Sequence, residues 1–144
     1  MNKQYDLSRF IEAHKEDYEM ALNEIKQGRK RSHWMWYIFP QIQGLGLSST
    51  SQYYAIKDSD EARAFLNDPY LSGHLLEISN VLLQLKTDNP TEVFGIPDDM
   101  KLRSSMTLFA LVSDENSVFH KVLDKYFNGK YDYKTINIMN TGDK

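Results

Sequence analysis

Arg29, Lys30 and Arg31 run without a break into Ser32, His33, Trp34 and Trp36, and Pro40, Gly44 and Gly46 close the stretch. Both tryptophans of the chain lie within it. Lysine or arginine beside an indole can hold a phosphate while the ring stacks a base or sugar. One cation at a helix C-terminus contributes ~0.3–1 kcal/mol. That accounts for Arg29, but not for the run that follows it. Lys30 and Arg31 are therefore expected to hold an anion, and His33 to serve as acid–base or hydrogen-bonding partner. Two residues apart on a helix, Trp34 and Trp36 diverge by about 200°. One is expected in the core and the other at the site. Gln41 and the backbone at Gly44 and Gly46 are expected to line the pocket. The glycine loop lacks a dinucleotide or P-loop fingerprint. A plain loop with a serine cap explains it taken alone, although Ser48–Ser51 at a helix start would suit an anion.

A second constellation lies at 98–107, where Lys101, Arg103, Ser104 and Ser105 follow Asp98 and Asp99. Helical spacing brings Lys101, Ser104 and Ser105 onto adjoining positions. Small polar residues in mid-helix mark a polar pocket or a close helix crossing. These residues are expected to close the pocket, with Ser104 as a candidate nucleophile. The familiar Ser-x-x-Lys order is reversed here, which argues against a Ser/Lys hydrolase. His14, His33, His74 and His120 show no metal-ligand spacing, so neither metal nor cofactor is expected. His14 reads as a packed core histidine.

The elements that must position these residues follow from apolar periodicity. Leu7, Phe10, Ile11, Tyr18, Leu22 and Ile25 form one helical stripe over 7–27, closed by Gly28. Asp58 and Glu61 mark a helix start. Pro69 opens a helix to about 86, expected to be the most buried element. Asn89 and Pro90 open a single turn closed by Gly95. Helices follow from Asp98 to Leu111 and over 118–127, the latter closed by Asn128 and Gly129. The tail from Tyr131 is expected to dock as an extended segment or to fray. The fold class expected is all-α: a compact single domain over residues 1–144, with five to seven helices, some short, and irregular connections.

With 144 residues, 41% apolar and 26% charged, the chain has an ordinary globular composition. Cysteine is absent, which excludes disulfides and thiolate chemistry. The N-terminus lacks a secretory signal pattern, and no apolar run approaches the roughly 20 residues needed to cross a bilayer. A cytoplasmic location and no membrane partner are expected. The net charge of −3 disfavours a nucleic-acid coat, so any such contact must be local.

Asp6–Phe10, Gly28–Trp36 with Phe39–Gln41 and Gly44–Gly46, Tyr54–Ile56, Glu61–Arg63, Phe94–Gly95 and Asp98–Phe109 together carry a family resemblance. The chain resembles the bacterial family catalogued as domain of unknown function 1810, over residues 6–138, leaving 139–144 as a frayed tail. The resemblance implies a mainly helical fold and supplies no activity, cofactor or site. The function expected from the residues is binding, and processing if the site is catalytic, of an anionic nucleotide-like or phosphorylated small molecule. Hydrolase or N-glycosidase chemistry, as on ADP-ribose-like ligands, is the enzymatic version, by analogy of fold class alone. The rivals are a nucleic-acid or protein interaction module using the same basic-aromatic patch, and a purely structural role for residues 32–36.

Overall fold

In a computed structural model, residues 5–142 are described. They form helices α1 (Ser8–Lys26), α2 (Met35–Ile38), α3 (Ser49–Tyr54), α4 (Ser59–Asn67), α5 (Pro69–Gln84), α6 (Pro90–Phe94), α7 (Asp98–Leu111), α8 (Val118–Phe127) and α9 (Tyr133–Gly142). Nine helices among the described residues exceed the expected five to seven. The single-turn α2 is too short to show a period, yet it closes its own hydrogen bonds, whereas α6 is the turn that Asn89, Pro90 and Gly95 mark.

Local signals fix most boundaries. Asp68 accepts from the N–H groups of Tyr70 and Leu71 and so caps α5, with Pro69 at its first position. Asn89 caps α6 in the same way. Asp58 accepts from Glu61 N at 2.8 Å, while the Glu61 carboxylate takes Lys57 N and the Arg9 guanidinium. Gly28, at φ +82°, ends α1 by donating to the Ile25 carbonyl.

α1 packs on α5, α5 on α8, and α8 on α7. Phe10, Trp34, Phe39, Phe65 and Phe109 fill the core between them. The most buried helix is α7 rather than α5. Nine of its fourteen residues are buried, against five of sixteen in α5. Ser104, Ser105 and Thr107 are small enough to let neighbours close on several sides, so α7 carries no apolar stripe.

The tail corrects a second expectation. Residues 133–142 are helical, neither extended nor frayed up to Gly142, and residues 143–144 lie outside the described residues. Asp132 starts α9, since its Oδ2 accepts from Thr135 Oγ1 at 2.5 Å and its carbonyl accepts from Ile136 N. Thr135 and Met139 are then buried, and α9 packs against α7. The connection between α2 and α3 is held by one parallel bridge, Ile42 to Ile56, in which Gln43 N donates to Ile56 O and Ile56 N to Gln41 O.

Candidate functional site

Segment 28–36 is organised by a carboxylate inside α1. Glu24 accepts from Arg31 N at 2.7 Å, Ser32 N at 2.9 Å, Ser32 Oγ at 2.6 Å and Trp34 Nε1 at 2.9 Å. Burial pushes its pKa up, but the bonds from Ser32, Arg31 and Trp34 outweigh burial and hold it below the usual range. Trp34 is fully buried and is the core tryptophan. Trp36, two residues on, is half-buried and faces a cleft.

Lys30 donates to Asp98 Oδ2 at 2.8 Å and to the Ser32 carbonyl at 2.6 Å, and lies over the Trp34 ring. Lys101 donates to the other oxygen of Asp98 at 3.1 Å, and its ammonium lies 4.9 Å from the Trp36 ring centroid. Asp98 thus joins the basic-aromatic segment to α7. Burial raises its pKa, but the two ammonium groups hold it low.

The cleft, of about 680 Å³, lies between the 41–48 loop, the start of α7 and the start of α9. Trp36, Leu45, Leu47, Pro97 and Met100 form apolar walls; Lys101 and Lys134 supply charge. Gln41, Ser48, Ser51, Ser104 and Asp132 complete the lining. Lys134 is exposed and has no partner among the described residues. Gly46 is required by close approach: a Cβ there would lie 2.5 Å from Ser51 Oγ and 2.7 Å from Ser51 Cβ. A narrow inner cavity behind Trp36 reaches Gly44. A separate cavity of about 320 Å³ near Arg9 and Lys57 holds none of the expected site residues.

Of the expected residues, Trp36, Gln41, Gly46, Lys101 and Ser104 meet at the cleft, with Gly44 just behind. The others are corrected by geometry. Lys30 is consumed by Asp98 and the Ser32 carbonyl. Arg31 and His33 are exposed and absent from the cleft lining, because Glu24 holds the Arg31 and Ser32 backbone N–H groups and the Trp34 indole, and the chain turns inward only at Trp34. Arg103 donates to the Lys130 and Tyr131 carbonyls, so it holds the C-terminal segment. Ser105 is fully buried, and its hydroxyl has no partner among the described residues. Ser104 Oγ lies 2.8 Å from Asp132 Oδ2 and 3.2 Å from the Met100 carbonyl, the contacts of a helix tie.

Three site residues escaped the sequence reading. Glu24 had a signal: it stands three residues after Ala21, beside the apolar stripe, where an acid needs partners. Asp132 and Lys134 lie in the tail expected to be extended or frayed, and only the folding of α9 brings them to α7. Among the described residues no three His, Asp or Glu side chains are grouped to hold a metal ion.

These features describe an all-helical protein with an aromatic, cationic cleft. The family model described as "Protein of unknown function (DUF1810)" matches residues 4–139, and the chain belongs to that family. It is similar to the conserved hypothetical protein Rv1873 from Mycobacterium tuberculosis, known from a crystal structure at 1.38 Å. The two share 41% identity with a TM-score of 0.92, covering 94% of this chain and 97% of that one. No curated protein matches the chain. Among the described residues no helix is long and apolar enough to cross a membrane.

Proposed function

We propose that this is a cytoplasmic protein that binds a small anionic molecule with a flat or apolar body in the Trp36–Lys101 cleft. The observation that carries the reading is the Lys101 ammonium 4.9 Å from the Trp36 ring, with Lys134, which has no partner among the described residues, lining the same cleft. An anion held by these lysines lies beside an indole that can pack its organic part. Leu45, Leu47 and Met100 extend that apolar wall. This matches the pattern of ligand sites, in which a few charged groups orient a mostly apolar contact. Neither His33 nor Ser104 is assigned a catalytic role: the first lies outside the cleft and the second is engaged by Asp132.

A titration of tryptophan fluorescence and thermal stability tests the reading. Only two indoles report, and Trp34 is buried against Glu24. Adenosine 5′-monophosphate should change the emission of Trp36 and raise the melting temperature. At a hundred times the dissociation constant the added stability is about 2.7 kcal/mol. Lys101→Ala should weaken binding, and Trp36→Phe should remove the optical signal. An unchanged melting temperature with nucleotides, sugar phosphates and aromatic carboxylates alike would reject the site. So would an equal shift in a Lys101→Ala/Lys134→Ala double variant.

A further inference from the structure

Asp132 starts α9 and also lines the proposed cleft, where its carboxylate requires a neutral part of an anionic ligand beside it. Its Oδ2 is used twice, by Ser104 Oγ at 2.8 Å and Thr135 Oγ1 at 2.5 Å. Its Oδ1 has no partner among the described residues, yet Asp132 lines the cleft. An ionised carboxylate only accepts hydrogen bonds. Oδ1 is therefore a fixed, unused acceptor, held in place by the two hydroxyls on its sister oxygen.

The charge pattern constrains the rest of the ligand. In the cleft lining Lys101 and Lys134 stand with Asp132, and beside it Asp98 is shared by Lys30 and Lys101, leaving one net positive charge over the five groups. A single phosphate ester, carrying about −1.5 to −2 at neutral pH, suits that balance. A polyphosphate chain would meet the two carboxylates with charge left unpaired.

Resting on the cleft reading above, we infer that the ligand is a ribonucleoside monophosphate whose sugar hydroxyls donate to Asp132 Oδ1. The base packs along Trp36, the phosphate lies toward Lys101 and Lys134, and the hydroxylated sugar occupies the space between. Asp132 is a specificity-determining residue in this arrangement. It selects a hydroxylated sugar and turns away a second anionic group.

The test compares adenosine 5′-monophosphate, its 2′,3′-dideoxy analogue, adenosine 5′-triphosphate and inorganic phosphate by calorimetry on the full chain. A hydrogen bond to a charged acceptor implies roughly a ten- to hundredfold preference for the ribo form over the dideoxy form. The triphosphate should bind no tighter than the monophosphate. Asp132→Asn keeps a helix-capping oxygen but puts an amide group where Oδ1 stood, so the sugar preference should fall below threefold. Asp132→Ser, which also retains a capping oxygen, should lose the preference equally, and melting curves show whether each variant is folded. Equal binding of the ribo and dideoxy monophosphates by the wild-type protein overturns this inference and leaves the cleft reading standing. A sugar preference that survives in both folded variants overturns it as well. Binding of none of the four probes overturns this inference, and the cleft reading falls with it only when sugar phosphates and aromatic carboxylates fail to bind as well.

Discussion

Two buried groups have their protonation states set by neighbours. His14 Nε2 lies 2.8 Å from the Tyr37 carbonyl and must donate to it. In the neutral pair His14 Nδ1 therefore accepts from His74 Nδ1, 2.9 Å away. Burial lowers the His14 pKa to about 4; the Tyr37 carbonyl partly opposes this, and His74 adds to it. The unfolded chain, with His near 6.5, then binds more protons than the native one across the interval between these values. Stability is full above pH 6.5 and is lost as pH falls toward 4, by on the order of 3 kcal/mol for this group. Urea midpoints measured from pH 7 to pH 4 should show the decline, and His14→Gln should remove most of that slope. Glu24 acts in the same direction at lower pH: its carboxyl is held low, so its contribution persists above the carboxylate range and fades as pH falls through the depressed value. Glu24→Gln turns an amide toward N–H donors and should cost about 1.5–3 kcal/mol, read as a lowered urea midpoint with altered Trp34 emission.

Helix ends and helix ties explain several polar residues in the second half of the chain. The Lys125 ammonium reaches the Leu82 and Leu83 carbonyls at 3.0 Å, and that of Leu85, while Tyr126 Oη donates to Leu82 at 2.6 Å. Together they satisfy the end of α5. Lys125→Met should destabilise by about 1–2 kcal/mol, as for a partly buried cation at a helix C-terminus, and denaturant unfolding measures it. Thr107 Oγ1 donates to the Arg103 carbonyl and accepts from Asp132 N at 2.8 Å, which fixes the start of α9 on α7. Thr107→Val keeps the shape but leaves that N–H without a partner, at a cost of about 1–3 kcal/mol. Amide exchange should accelerate over α9 before it changes in the body of α7. Sequence periodicity made α1, α5 and α8 legible because each spans several turns, and Asp58, Pro69 and Asn89 made the starts of α4, α5 and α6 legible. α9 was missed because its helical face is defined by what α7 offers it, through Thr107 and Ser104.

Across the whole molecule, Asp98 joins its own helix to Lys30, 68 positions earlier in the sequence. It binds Lys30 and Lys101 together, each ammonium lying over one of the two tryptophans. The pairs are partly exposed, so the loss in Asp98→Asn should be about 1–2 kcal/mol, below the 3–5 kcal/mol of a fully buried pair. Equilibrium unfolding gives that value, and added salt should shrink it. The same substitution should loosen the hold on Lys101 and change Trp36 emission without ligand. An unchanged spectrum and midpoint would show that the bridge carries no weight.

By itself the sequence determined an all-helical chain, the approximate span of its long helices and the membership of one tryptophan in the core. Those properties are written in local spacing, capping and composition. Tertiary structure decided which tryptophan is which, because Glu24 captures the Trp34 indole and so turns Trp36 to the cleft. It also decided that Lys30, Arg103 and Ser105 serve the fold, that Arg31 and His33 face outward, and that Asp132 and Lys134 join Lys101. Side-chain partners distant in sequence set those outcomes, and spacing along one chain does not encode which partner a side chain will meet.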